Sequence, residues 1–389
     1  MLFKLALRNI FGNGWRSLIN MIIIAIMVIG MIWMEAMYYS WIALAKTQQK
    51  EWEYAAGMFR VESYDPFDAF SWKESQAPIS PELMQAINEG KAVPTLLSPA
   101  VIYPRQSMLP TLVKGIPAGQ NLLKFPSGKL AGEAEGYVPA IVGTAMAKST
   151  QLEEGEVFTL RVKDSQGAFN TLDLKLVEIM QTPVPTLDIG TVWIDLQRLQ
   201  ELKLQPDMAS TVVFNDPVLA RLSVPGFKYI SEKEFFSWLD EIMKTENMSK
   251  YMIYGLLMFL AMLAIFDAQA LAVFKRRKEI GTLAALGMTK GRIIRLFTLE
   301  GTFYSLFGIV LGLILGFPLF RYFAVKGYVL PEGYDDFGIA GFSEPVIYQY
   351  PIEIFINVIG WIMLITIIVS WFAARRISSL SPVDALRGK

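Results

Sequence analysis

Apolar residues are not spread evenly along this chain. They gather in four blocks nearly free of charge, at residues 17–34, 251–274, 301–320 and 354–374. A helix needs roughly 17–25 predominantly apolar residues to cross the hydrocarbon core of a bilayer, and each block meets that length. The first block runs on through Glu35 into Tyr38, Tyr39 and Trp41. The second carries one charge, Asp267, and the fourth holds Trp361 and Trp371. The pattern predicts an α-helical membrane protein with four transmembrane helices. The first block reads as a retained anchor rather than a signal peptide. Its apolar run outlasts a signal-peptide h-region, and no small-x-small cleavage site follows it.

The stretch between the first two blocks, residues 46–250, alternates like ordinary globular sequence and is long enough for a domain with its own core. Its pattern is α+β. Ser80, Pro81 and Glu82 supply the cap, first-position proline and early acid of a helix start. Residues 157–162 and 172–179 alternate around Asp164-Ser165-Gln166-Gly167, a hairpin signature. Residues 141–152 and 194–204 read as short helices after strands, and 211–214 as a short strand. Prolines cluster at 94–126 and 183–185, which predicts loops and edge strands there. Helical pattern continues past the first block from Trp41 to Trp52 and precedes the second from Ser231 through Phe235, Trp238 and Ile242 to Met248. With no Gly/Ser-rich linker on either side, these read as helical stalks or as terminal helices of the domain.

Charge then orients the layout. Short cytoplasmic flanks are enriched in Lys and Arg. Lys4, Arg8 and Arg16 precede the first block. Lys275, Arg276, Arg277, Lys278, Lys290, Arg292 and Arg295 lie between the second and third, and Arg375, Arg376, Arg387 and Lys389 follow the fourth. The segment between the third and fourth blocks is acidic instead, with Glu332, Asp335, Asp336, Glu344 and Glu353. All three basic flanks share one side only if there are four spans. The predicted organisation begins with an interfacial N-terminal helix and transmembrane helix 1 at 1–45 and an extracytoplasmic α+β domain with stalks at 46–250. Transmembrane helix 2 follows at 251–274, a cytoplasmic loop at 275–295 and transmembrane helix 3 at 296–320. A short outer loop at 321–353, transmembrane helix 4 at 354–374 and a cytoplasmic tail at 375–389 complete it.

Composition narrows the chemistry. The 389 residues include no cysteine and no histidine. That excludes disulfides, thiolate or histidine-ligated metal sites and triads built on histidine. No GxxxxGK[ST] loop is present; Gly287-Met288-Thr289-Lys290-Gly291 lacks the spacing that wraps a phosphate. No catalytic residue, cofactor or metal is expected in this chain, and no nucleic-acid partner.

Other residues stand out as candidates. Gly301, Ser305, Gly308, Gly312 and Gly316 fall on one helical face, where small side chains let membrane helices approach closely. Asp267 sits eight residues before Lys275, about 12 Å inside the bilayer at ~1.5 Å per residue. A carboxylate there faces protein or water. Glu300 lies five residues past Arg295 and reads as a snorkelling or ion-paired acid. Met27, Met31 and Met34, with Met258 and Met262, form stripes that serve as ordinary packing or as an adaptable wall for a lipid-like substrate. The basic, amphipathic residues 2–10 predict a helix lying along the membrane surface.

The most informative stretch is KRRKEIGTLAALGMTKGRIIRLFTLEG, residues 275–301. It reads as a basic cluster followed by a short helix with apolar Ile280, Leu283, Ala284 and Leu286, stopped at Gly287. The strings Arg277-Lys278-Glu279-Ile280-Gly281 and Ala284-Ala285-Leu286-Gly287, with residues 297–301, resemble the FtsX/MacB superfamily of ABC transporter permeases. LALRNIFGNGWRS at 5–17 and SPVDALR at 381–387 look like the family's two ends, and 147–160 and 192–199 resemble its periplasmic core. In layout the chain is nearest to the LolC/LolE lipoprotein-releasing permeases, although Gly155-Glu156 stands where the family usually has Gly-Asp.

The resemblance implies an outer domain of the MacB periplasmic-core type and a bacterial inner-membrane location with both termini cytoplasmic. It implies a separate cytoplasmic ATPase that holds the ATP and Mg, and a second permease copy or homologue as dimer partner. A periplasmic carrier or lipoprotein, with membrane lipids, completes the implied partners. The loop would be a coupling helix seated on the ATPase through Arg277, Lys278, Glu279, Ile280, Gly281, Leu283, Ala284, Leu286 and Gly287. Lipoprotein release or export of a periplasmic substrate is the implied function; a mechanotransmitter regulating a cell-wall hydrolase is the alternative.

Overall fold

The computed structural model describes residues 15–66, 68, 70–105, 107–237, 239, 241, 248, 251–256, 258–259, 262–263, 266, 281–282, 287–329 and 345–377. The chain divides into two compact units. One comprises Met1–Trp41, Glu241–Tyr328 and Val346–Lys389; the other comprises Ile42–Asp240 and Val329–Pro345. Helix α1, Trp15–Gln49, is one unbroken element that continues as a π-helical turn, Lys50–Tyr54. The 37 helical residues Leu18–Tyr54 are about 55 Å long at ~1.5 Å per residue, against a hydrocarbon core of about 30 Å. The helix therefore outlasts the bilayer, and the helical pattern at 41–52 is its continuation.

The second unit is built from nine principal strands and short helices. In chain order these are β1 (Gly57–Val61), α2 (Pro81–Asn88), β2 (Ala92–Tyr103), β3 (Leu109–Ile116), β4 (Val138–Gly143), α3 (Thr144–Thr150), β5 (Val157–Lys163), β6 (Phe169–Met180), β7 (Thr191–Asp195), α4 (Leu196–Lys203), β8 (Thr211–Phe214), β9 (Phe227–Ile230) and α5 (Glu232–Phe235). Six of the strands close on themselves in the order β2-β3-β7-β4-β6-β5, because the end of β2 also pairs with β5 through Ala100–Val162 to Tyr103–Thr159. Closure leaves no open edge among these strands. The first four residues of β2 pair instead with β8, which carries β1 and then β9 as an open extension.

The core follows the strand period of two. Leu96, Ala100, Ile102, Ala140, Val142, Phe158, Leu160, Leu174, Leu176, Val192 and Ile194 form one buried cluster, joined by Met146 and Ala147 of α3 and Leu196 and Leu199 of α4. Residues of opposite parity, such as Ile141 and Trp193, pack on the other side with Phe125, Leu130 and Leu187. The extension has its own core, Phe59, Val212 and Phe214 against Leu83 and Ala86 of α2. Helix α2 starts where the sequence signals: the Ser80 side chain accepts from Leu83 N at 3.3 Å, with Pro81 at the first position. Helix α4 starts two residues after its predicted bound, because Ile194 and Asp195 finish β7 and Asp195 caps Gln197 N at 3.1 Å.

The proline cluster corrects the expectation of loops and edges. Pro94, Pro99 and Pro110 lie inside two long strands, β2 and β3. Each occupies a position paired on one side only. Pro94 faces β8 before β3 pairing begins at Leu96; Pro99 faces β3 before β5 pairing begins at Ala100; Pro110 faces β2 before β7 pairing begins at Leu112. A missing N–H is tolerated there because no second neighbour requires it.

In the first unit, α6 (Lys290–Lys326) and α7 (Ile352–Ile377) pack against each other. Three described helices are long and apolar enough to cross a membrane: Leu18–Tyr54, Lys290–Lys326 and Ile352–Arg375. The expected second transmembrane helix falls mostly outside the described residues; those described between 251 and 266 are helical. Ile26, Ile314, Phe317 and Ile356 are each more than 60% exposed, an apolar surface that suits lipid rather than water.

Candidate functional site

The small-residue face of α6 is closely packed among the described residues. Gly301, Ser305, Gly308, Gly312 and Gly316 are all buried. A β-carbon on Gly308 would lie 2.7 Å from Ile24 Cβ and 3.0 Å from Met21 O. One on Gly312 would lie 2.9 Å from Ala25 O and 3.0 Å from Ala25 Cα, and one on Gly316 would lie 3.1 Å from Ile29 Cγ1. The glycines therefore let α1 seat directly on the backbone of α6. Ser305 reaches the other neighbour: its Oγ donates to Thr302 O at 2.8 Å and lies 3.2 Å from Met363 Sδ on α7. Nearer the N-terminus of α6, Ile293 and Phe297 pack on Ala374 of α7.

Glu300 is buried at 3% exposure, so it faces protein rather than snorkelling to the surface. Met31 is buried; Met27, Met34, Met258 and Met262 are half-buried on helical segments. Asp267 lies outside the described residues, as do Arg277, Lys278, Glu279, Ile280, Leu283, Ala284 and Leu286. Gly281 is helical and buried. Gly287 has φ +88°, a left-handed conformation that ends a helix, and Thr289 begins α6 two residues later.

The second unit contains a cleft of about 600 Å³ that sequence reasoning did not single out. Strands β2, β3 and β7 of the closed sheet form one side, β1 and β8 another, and Trp52, Glu53 and residues 186–191 complete it. Lys114 lines it at only 8% exposure. The Nζ donates to Thr186 O at a long 3.4 Å and lies 5.1 Å from the Trp193 ring centroid. Glu53 accepts a hydrogen bond from Thr186 Oγ1 at 2.9 Å. Burial pushes the Lys114 amine below its ordinary range, and the Glu53 charge pulls it partly back. The signal for this residue was in the alternation: Lys114 shares a strand face with Leu112 and Ile116, where an apolar side chain is expected.

A second buried lysine, Lys203, closes α4. Its Nζ donates to Gln76 Oε1 at 2.7 Å and Ser98 Oγ at 3.2 Å, and burial lowers its pKa from 10.5 to about 8. Asp188, fully buried, holds the start of α3 by accepting from Ala145 N at 2.8 Å.

Long apolar helices with a close-packed glycine face, joined to a separate α/β unit, define a multi-span membrane protein. Residues 251–382 match the family model described as FtsX-like permease C-terminal, and the chain is similar in sequence to ABC transporter permeases. It is 28% identical over 129 residues to an ABC transporter permease of Methanocaldococcus jannaschii, an alignment covering 32% of this chain and 29% of that protein. It is 22% identical over 294 residues to the lipoprotein-releasing system transmembrane protein LolC of Neisseria meningitidis, covering 68% of each. Among solved structures, the extracellular domain of the noncanonic ABC-type transporter YknZ from Gram-positive bacteria aligns at a TM-score of 0.26 and 10% identity. That alignment covers 43% of this chain and 86% of that domain.

Proposed function

We propose that this chain is a permease subunit that couples ATP hydrolysis by a separate cytoplasmic ATPase to work at the outer face of the inner membrane. The observation that carries the reading is the FtsX-like match over residues 251–382, which contains the basic loop between the second and third spans. That loop is the power input, docking on the ATPase through Glu279, Ile280, Leu283 and Leu286. The α/β unit is the output on the opposite side, since all three basic flanks lie away from it by the Lys/Arg bias. Helix α1, which outlasts the bilayer, connects the two. The small-residue face of α6 keeps the helices close enough for motion to pass as packed side chains and backbone. A second permease copy or homologue completes the complex. The work at the outer face is lipoprotein release or export of a periplasmic substrate; the similarity to LolC over 68% of both chains favours release.

The docking test is copurification of the cognate ATPase with the full chain. Leu283→Asp puts a charge among the apolar residues Ile280, Leu283 and Leu286 of the loop sequence and is expected to abolish association while leaving the permease in the membrane. Retained association overturns the docking assignment. Depletion of the permease is expected to leave lipoproteins in the inner membrane, and normal sorting eliminates release as the substrate step.

A further inference from the structure

We infer that the cleft of the α/β unit binds an amphipathic anion, with its acidic head group at Lys114 and its hydrocarbon body along the apolar walls. Three observations carry this. The cleft, at about 600 Å³, has the size of a ligand site, and its lining is mainly apolar, including Trp52, Trp72 and Trp193. Its charged lining residues are Glu53, Arg60 and Lys114, two cations against one acid, so the residual charge to be matched is positive. Finally, Lys114 is buried with a single long hydrogen bond, to Thr186 O at 3.4 Å, while Glu53 bonds to the Thr186 hydroxyl.

A buried cation costs stability unless it is paired. A methionine would fill the same strand position between Leu112 and Ile116 without that cost. The arrangement is satisfied when a carboxylate or phosphate enters the cleft and accepts from Nζ. Two sources offer this chemistry, a single-chain fatty carboxylate and a phosphate-headed lipid. Neither depends on the lipoprotein reading, since the site lies wholly within one unit.

The test uses the full chain in lipid nanodiscs and a diazirine-bearing decanoate, with crosslinks mapped by mass spectrometry. Saturable labelling is expected in peptides covering residues 109–116 and 186–193. Excess decanoate or decyl phosphate should displace it, the stronger competitor identifying the source, and decanol should not. Lys114→Met is expected to cut the labelling at least about tenfold, the loss of one charge-assisted hydrogen bond, and Lys114→Arg to restore most of it. Partition of the probe into lipid is common to all variants and cancels. Lys114→Met should also melt at or above the wild-type temperature, because an incompletely paired buried charge has gone. A structural lysine gives the reverse pattern, with Lys114→Met melting lower and Lys114→Arg labelling no better. That pattern overturns the proposal, as does labelling indifferent to Lys114→Met or displaced equally by decanol.

Discussion

Replacing Gly312 by alanine puts one methyl carbon where the first helix leaves no room. That carbon would stand 2.9 Å from Ala25 O, 3.0 Å from Ala25 Cα and 3.1 Å from Val28 Cβ. Favourable contacts between carbon atoms lie at about 3.5–4.0 Å, so the shortfall is about 0.5 Å. Two of the three obstructing atoms belong to the backbone of Ala25 and cannot rotate away. The helices must therefore separate, and a gap of about 0.5 Å forfeits roughly a quarter of each dispersion contact along the face. Overpacking of this kind costs about 1–3 kcal/mol, offset in part by the better helix propensity of alanine. The expected net loss is about 1–2 kcal/mol, and more for Gly312→Leu. The assay is reversible unfolding of the full chain in mixed micelles, followed by far-UV circular dichroism. Gly30→Ala and Gly360→Ala are the controls, since a β-carbon at either meets no heavy atom within 4 Å beyond its own stretch of helix backbone. They are expected to be neutral or slightly stabilising. If Gly312→Ala unfolds like the controls, the glycine face does not hold the two helices together.

Two further predictions concern the α/β unit. A β-carbon on Gly143 would collide with the Asp188 carboxylate and come within 2.7 Å of Asp188 Cα, so Gly143→Ala must expel the group that holds the start of α3. The expected loss is about 2–4 kcal/mol in thermal or denaturant unfolding, and an effect below about 0.5 kcal/mol refutes it. Lys203 gives a pH dependence. Its folded pKa of about 8 lies below the ordinary 10.5, so between those values the unfolded chain binds more protons and stability rises with pH. The full difference is on the order of 3 kcal/mol, and melting at pH ~7.5 and ~9.5 should show an increase that Lys203→Met removes. A flat or falling profile contradicts it.

The parts of the fold set by local signals were readable along the chain. Three of the four apolar blocks gave long helices, Ser80-Pro81 started α2, residues 211–214 formed their strand, and Asp164-Ser165-Gln166-Gly167 turned the hairpin between β5 and β6. Closure of the six strands was not readable, because it depends on β2 meeting β5 some 60 residues away and on the parallel pair β3–β7. The prolines misled for the same reason: whether Pro99 sits at an edge depends on where the next strand's pairing begins, a fact of tertiary register. The glycine spacing showed which side of α6 could be approached, and the structure shows α1 seated there. The cleft was invisible because its walls come from segments between Trp52 and Phe235 that only the fold assembles. Lys114 nevertheless broke the apolar alternation of its strand, and that irregularity was the one local trace of the site.

Drive by an ATPase in another chain, passed through the loop at residues 275–295, is what we propose. It is tested most directly by the steady-state ATP hydrolysis rate of the cognate ATPase, reconstituted with the full permease in lipid nanodiscs. The expected rate differs from that of the ATPase alone and returns to the ATPase-alone value with Leu283→Asp. A rate unchanged by the wild-type permease, or identical with Leu283→Asp and wild type, contradicts it.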